Sequence, residues 1–341
     1  MAAPVVTPPI LKTVASAVAS GAIKRIVVLS GAGTSVASGI PDFRSPGGMY
    51  ATLRPELLTA TEAQRSAMAE DPTEVVSWDL FRVNSLPYLE VRRPFILGTA
   101  VHAWKPTLAH VFFALLDKKG LLARVYTQNI DGLDRQTPIA SDRIVNVHGS
   151  LDRVACEFCG AGMDFSAFCE AVREQVRDIY GAGPPGPDTS TPILCLACGR
   201  PGVKPATVLY GRSLPDAFFA ATREEFPSGD GASGAGGGAD LLIVAGTSLT
   251  VAPANALPTL VRPGVPRLLF NDTRVEGPLG DALSGGWVPG SCDGGFLAFA
   301  EALGWAAEMR ALVESGECPC CPASRAALGL PPPVAAAPAA P

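Results

Sequence analysis

Residues 26–45 read IVVLSGAGTSVASGIPDFRS, an apolar run followed directly by a glycine turn, several hydroxyl residues and an Asp-Phe-Arg triplet. Ile26, Val27, Val28 and Leu29 are a β-branched-rich run of the kind buried in parallel sheets. Gly31 and Gly33 bracket the turn behind it, where backbone N–H groups are exposed to an anion. A helix beginning near Thr34 would add unpaired amides and a positive dipole end, so the guest that suits this turn is a phosphate or pyrophosphate. The dinucleotide fingerprint of dehydrogenases asks for a third glycine, and Val36 stands there instead. On these glycines alone, a phosphate cradle and an ordinary strand-to-helix turn are equally good readings.

Working outward, strand character recurs at Arg25–Ser30, Ala123–Thr127, Ile144–Val147, Ala206–Tyr210, Asp240–Ala245 and Arg267–Asn271, with helical patterns between most of these runs. Within Lys105–Lys118, Leu108, Val111, Phe112, Leu115 and Leu116 fall on one helical face. Ile10–Ala22 reads as the first helix. Alternating strands and helices imply an α/β fold with a doubly wound parallel sheet, whose ligands sit beyond the carboxyl ends of the strands. Two regions break the alternation. Residues 46–99 are helical and irregular, and residues 151–201 carry paired cysteines and a Gly/Pro tract at 181–187 that reads as a loop. Residues 228–239, SGDGASGAGGGA, read as a flexible insertion, and the tail from residue 315, low in complexity beyond Gly329, is expected to be largely disordered.

The 341 residues, 48% of them apolar, suffice for one large and one smaller domain. A formal charge of −5 and the lack of basic runs argue against direct binding of nucleic acid. Residues 241–261 approach the length of a membrane span, but Gly246, Thr247, Ser248, Pro253, Asn255 and Pro258 interrupt them, so no membrane partner is expected. An Ala/Ser-rich start without acidic residues before Asp42 faintly resembles a transit peptide, yet the first helix leaves only residues 1–9 for a leader. A cytoplasmic or nuclear protein is the favoured reading over an organellar one. Nine cysteines, an odd number without a secretory signal, point away from a disulfide framework.

Cys156-x-x-Cys159 and Cys195-x-x-Cys198 are two thiolate pairs with the spacing of a four-cysteine zinc site. Residues 160–194 between them are a longer separation than usual, and the Gly/Pro tract absorbs the excess. A closed four-thiolate shell leaves no place for water, which assigns the metal a structural role. Cys318, Cys320 and Cys321 have no partner cluster in the sequence, and Cys169 reads as an ordinary helix residue.

Gln128, Asn129, Ile130 and Asp131 follow a strand, and amide and carboxylate groups at that edge suit ribose hydroxyls and a carboxamide. A polar turn capped by its own side chains fits the same residues. His148 ends the next strand at the same edge, with a pKa suited to a general base. His102 and His110 read as structural. Gly246, Thr247 and Ser248 end another strand with a second small, hydroxyl-bearing loop, and Asn271-Asp272 ends the last, where Asp272 could hold ribose or Asn271 cap a turn.

Taken together, GAGTSVASGIPDFRS at 31–45, TQNIDG at 127–132, HG at 148–149, the two cysteine pairs, VKP at 203–205, GTSL at 246–249 and Cys292-Asp293 resemble the sirtuins, NAD-dependent protein lysine deacylases, in this order over residues 10–314. The resemblance implies a Rossmann-like NAD-binding domain from residues 10–45, 100–150 and 202–314. The helical insertion 46–99 and a zinc ribbon at 151–201 would make the smaller domain. It implies that Gly31, Ala32, Gly33 and Thr34 approach NAD, that Asp42 and Arg44 order the loop, and that Phe43 shields the reacting sugar. By the same resemblance Gln128, Asn129, Ile130 and Asp131 hold ribose and nicotinamide, with Asn129 in a catalytic role. Gly246, Thr247 and Ser248 meet phosphate and ribose, and Asn271, Asp272 and Cys292 lie at the adenosine end. His148 is the implied base, and Val208, Tyr210 and Gly211 flank an acyl-lysine peptide added as a strand. The implied products are nicotinamide, deacylated lysine and acylated ADP-ribose. Mono-ADP-ribosyl transfer, or a non-catalytic NAD- and zinc-binding module, are the alternatives. This chain departs from the family pattern at Tyr210-Gly211-Arg212, where many relatives have Phe-Gly-Glu, which puts a cation beside the expected peptide groove. Residues 45–53 hold no Arg or Lys, so a neutral acyl group is expected, although Arg54 lies close.

Overall fold

The structure is a computed structural model and describes residues 8–40, 47–181, 183–226 and 238–333. Among these, the strands are β1 (Ile26–Ser30), β2 (Leu122–Thr127), β3 (Ile144–Asn146), β4 (Gly149–Cys156), β5 (Gly162–Met163), β6 (Val203–Thr207), β7 (Leu241–Ala245), β8 (Arg267–Asn271) and β9 (Trp287–Pro289). The helices are α1 (Pro9–Ala19), α2 (Glu62–Glu70), α3 (Trp78–Phe81), α4 (Leu86–Ala100), α5 (Leu108–Lys118), α6 (Phe165–Gln175), α7 (Asp216–Glu225), α8 (Leu257–Leu260), α9 (Gly277–Leu283), α10 (Cys292–Ala302), α11 (Ala306–Glu314) and α12 (Pro322–Ala327).

A six-stranded sheet runs in the order β3-β2-β1-β7-β8-β9, and every pairing in it is parallel. β1 and β7 are buried at every position, as their uninterrupted apolar sequences demand. Successive side chains alternate between two faces. Ile26 and Val28 pack with Leu241 and Ile243 against Phe112, Phe296 and Phe299 of α5 and α10. Val27 and Leu29 pack with Leu242 and Val244 in a second cluster that holds Phe218 of α7 and Leu257 of α8. Helices therefore cover both faces, which is the doubly wound arrangement. The chain leaves β1 toward β2 on one side and returns to β7 on the other, so the strand order reverses at β1 and opens a crevice at its carboxyl end.

The second body has its own core and a small antiparallel sheet, β5-β4-β6. It unites the helical insertion with the cysteine-bearing segment through buried charge. Glu90 of α4, fully buried, accepts from Thr59 N at 2.8 Å and from Ser190 Oγ at 2.5 Å. The neighbouring Arg93 donates to Val176 O at 2.9 Å and Pro184 O at 2.8 Å, which pins the Gly/Pro tract.

Several local expectations are corrected. After β1 the chain forms two short 3₁₀ turns, Ala32–Thr34 and Val36–Ser38, instead of an α-helix, so amide approach rather than a helix dipole is available there. The run expected over Ala206–Tyr210 pairs earlier, as β6, and belongs to the small antiparallel sheet. β9 carries little sequence signal because it is only three residues long. Of the tail expected to be largely disordered, the described part is folded: Cys318, Cys320 and Cys321 are buried, and α12 packs against the main domain, while residues 334–341 lie outside the described residues. Asp42, Phe43 and Arg44, and residues 228–237 of the Gly-rich insertion, lie outside the described residues.

Candidate active site and metal centre

Each cysteine pair sits on a tight turn built the same way. Gly160 N donates to Cys156 O and Gly199 N to Cys195 O, both at 2.8 Å, and both glycines take a left-handed φ, +74° and +71°. The turns face each other. Cys156 Sγ and Cys198 Sγ are 3.7 Å apart, Cys159 Sγ and Cys195 Sγ are 3.6 Å apart, and all four sulfurs lie within 4.8 Å of one another. Thiolates about 2.3 Å from one tetrahedral zinc stand about 3.8 Å from each other, so the four residues fit that ion. Arg200 lies over the Phe158 ring at 3.5 Å beside the cluster.

A cavity of about 1090 Å³ opens at the carboxyl ends of β1, β2, β7 and β8. Its floor is backbone. Gly31 N donates to Ala245 O and Gly33 N to Gly246 O, both at 2.9 Å. A Cβ on Gly33 would stand 2.6 Å from Gly246 Cα, and one on Gly31 would stand 2.7 Å from Gly246 O. Only glycine allows the two loops to meet there. That close approach, with a cavity of this volume above it, fits a dinucleotide.

Of the residues singled out in the sequence, Gly31, Ala32, Gly33, Gln128, Asn129, Ile130, His148, Val208, Tyr210, Gly211, Gly246, Thr247, Ser248, Asn271, Asp272 and Cys292 all line this one cavity. Thr34 and Asp131 do not. The Thr34 hydroxyl donates to Gly31 O at 2.8 Å, and Asp131 accepts from Ser35 Oγ at 2.7 Å and Leu133 N at 2.9 Å, so both brace the glycine loop from behind. Asn129 does both jobs: it reaches the cavity, while its Nδ2 donates to Gly31 O at 3.1 Å, Thr34 Oγ1 at 3.1 Å and Ser35 Oγ at 3.2 Å. Gln128 Nε2 donates to Thr247 Oγ1 at 3.1 Å, joining the ends of β2 and β7.

His148 Nδ1 stands 3.0 Å from the carbonyl oxygen of Gln128. A carbonyl only accepts, so Nδ1 carries the proton and Nε2 is the basic nitrogen. His110 is a helix cap: its Nδ1 accepts from Thr107 N at 3.2 Å, and burial lowers its pKa. Burial raises the pKa of Asp131 and pushes Asp134 up to about 6. The Cys292 thiol, also pushed up to about 12 by burial, stays protonated and donates to Phe270 O at 3.6 Å.

Three groups in the wall were not legible in the sequence. Tyr88 and Arg92 reach the cavity from α4, which shows no cofactor motif; Tyr88 OH is 2.6 Å from Thr207 Oγ1. A cation therefore stands in the wall although residues 45–53 supply none. Ala323 and Ala327 of α12 are the third contribution. At the mouth, Tyr210 N donates to Val76 O at 3.0 Å and Trp78 N to Tyr210 O at 2.9 Å, a parallel bridge between the two bodies. Arg212 lies over the Trp78 ring at 4.8 Å and pairs with Glu157 at 3.1 Å. Among the described residues no helix is long and apolar enough to cross a membrane.

Residues 31–253 match the model of the Sir2 family. The chain is 33% identical over 307 residues to the NAD-dependent protein deacetylase hst2-2 of Emericella nidulans, covering 89% of this chain and 74% of that protein. It is 36% identical over 305 residues to hst2-1 of the same organism, covering 89% and 73%. The NAD-dependent protein deacetylase sirtuin-2 of Danio rerio is 32% identical over 321 residues, covering 89% and 74%.

Proposed function

The chain belongs to the Sir2 family and is an NAD-dependent protein lysine deacetylase, and we propose that His148 is its general base and the glycine-floored cavity its NAD site. NAD supplies a ribose carbon whose bond to nicotinamide breaks as the acyl oxygen of the substrate attacks it. Because the leaving group is already cationic, the protein's task is to orient that oxygen, exclude water and move one proton. His148 Nε2 takes a proton from a ribose hydroxyl, and its Nδ1–H stays with the Gln128 carbonyl, so the ring keeps its orientation as its charge changes. Asn129 holds the glycine loop in place and presents its remaining polar atoms to the ribose and carboxamide. Thr247 and Ser248 take phosphate and ribose, and Asn271, Asp272 and Cys292 take the adenosine end.

The substrate peptide lies across the mouth as an added strand. Tyr210 has both backbone groups engaged by Val76 and Trp78, and the Leu209 carbonyl accepts from Arg212 N at 3.0 Å, so the peptide strand is placed alongside Gly211. Val208 and Tyr210 flank the lysine stem. The four cysteines hold one structural zinc, their closed thiolate shell leaving no position for water. A cytoplasmic or nuclear location is proposed, and acetyl-lysine in protein substrates is the preferred target.

The coincidence of His148 with the glycine floor in one cavity carries this reading. It is tested by mass spectrometry after incubation with NAD and a panel of acylated peptides. Nicotinamide, deacetylated peptide and acetylated ADP-ribose are expected in equal amounts. ADP-ribose attached to protein, with the acyl-lysine intact, would replace deacetylation by ADP-ribosyl transfer.

A further inference from the structure

The C-terminal stretch from Cys318 to Leu330 lies beyond residues 31–253, the span that carries the family match. It is nevertheless built into the cavity. Cys321 N donates to Pro106 O at 2.8 Å, and Cys321 Sγ donates to Ala37 O at 3.3 Å, in the second 3₁₀ turn of the glycine loop. Three residues later, the Ser324 hydroxyl donates to an Asp293 carboxylate oxygen and accepts from Leu108 N at 3.3 Å. Asp293 adjoins Cys292 and lines the cavity. Thus one short stretch grips both loops that frame the cavity, Gly31–Ala37 on one side and Gly290–Gly294 on the other. The grip is dry, since Ser324 is 0% and Cys321 1% exposed, and in that setting each hydrogen bond is costly to leave unmade. Ala323 and Ala327, four residues apart on one face of α12, complete the wall and leave room for a ligand.

We propose that Cys321 and Ser324 are positioning residues for the cofactor, and that α12 is the wall which holds the two cavity loops at the spacing NAD requires. The inference rests on the cavity being the NAD site. The stretch is anchored elsewhere as well: Arg310 Nη1 donates to Leu328 O at 3.1 Å, Arg325 Nε donates to Pro331 O at 2.7 Å, and Leu328 and Leu330 sit in the main core.

Calorimetric titration of NAD into the full-length protein tests it, together with the Michaelis constants for NAD and for acetyl-peptide. Ser324→Ala and Cys321→Ala are each expected to weaken NAD binding about fivefold, the value of one hydrogen bond. The peptide constant should stay within about twofold, and Cys321→Ser, which keeps a donor toward Ala37, should restore the loss. Ala323→Phe and Ala327→Phe replace exposed residues and leave the fold intact even if the buried variants do not. They intrude on the cavity and should weaken NAD binding about tenfold. NAD affinity unchanged in all of these variants, with the wild type binding NAD, overturns the positioning role and leaves the deacetylase reading standing. A wild type that fails to bind NAD overturns both.

Discussion

His148 Nδ1 and the Gln128 carbonyl oxygen, 3.0 Å apart, tie the two strand ends that carry the proposed base and the proposed nicotinamide contacts. The residue that orients the imidazole is the immediate neighbour of Asn129, so a single turn after β2 sets both the ring and the loop brace. His148→Ala should lower kcat about 10²–10⁴-fold, the usual contribution of a positioned base, with an unchanged melting transition. Turnover within a few fold of wild type would assign the base elsewhere.

The zinc geometry predicts one tightly held Zn²⁺ per chain, read by elemental analysis. Cys195→Ser should lose the ion and with it the small body, seen as a lost cooperative transition, because binding and folding of such a site are one event. A metal-free preparation that melts like wild type would contradict a structural zinc.

Gly33→Ala tests the floor of the cavity. Its Cβ would meet Gly246 Cα at 2.6 Å, and Gly246 cannot easily retreat because its own φ is +61°. We expect a loss of about 2–4 kcal/mol in stability and of NAD binding by titration. A variant that binds NAD normally would show that the loops need not touch.

Asp134 gives a pH signature. Its ordinary pKa of 3.8 is pushed up to about 6 by burial, so the folded state holds this proton more tightly than the unfolded chain. Its contribution is therefore favourable at low pH and is lost as pH rises from about 4 to 6, a swing of about 2–3 kcal/mol. Asp134→Asn should match wild type in urea melts near pH 4 and exceed it by about 1–3 kcal/mol at pH 8. An equal difference at both pH values would refute the assignment.

Arg212 makes a prediction about peptides. Reversal of its charge in Arg212→Glu places two carboxylates together, since Glu157 is its partner at 3.1 Å. Peptides with acidic residues beside the acyl-lysine should lose about three- to tenfold in kcat/KM relative to basic ones, and the effect should shrink in high salt. Equal ratios for both peptide classes would place the flanking residues away from Arg212.

Sequence alone determined the parts of this protein that depend on local covalent order. Ile26–Leu29 is the apolar run of a strand buried on both faces, the paired cysteines have the spacing of two corners of a metal site each, and Gly31, Gly33 and His148 sit where strands end. Those facts yield the doubly wound sheet and the zinc cluster, and the resemblance to the sirtuins implies most residues of the cavity. Tertiary structure decided the rest, because it turns on which segments meet. Thr34 and Asp131 became braces once Ser35 and Gly31 claimed their polar atoms, a competition invisible in the linear order. Arg92 and Tyr88 entered the wall from a helix whose pattern reads as ordinary core. Cys321 lacked any partner in sequence, since its partners are the carbonyl of Ala37 and a serine held by Asp293, groups that only folding brings within reach.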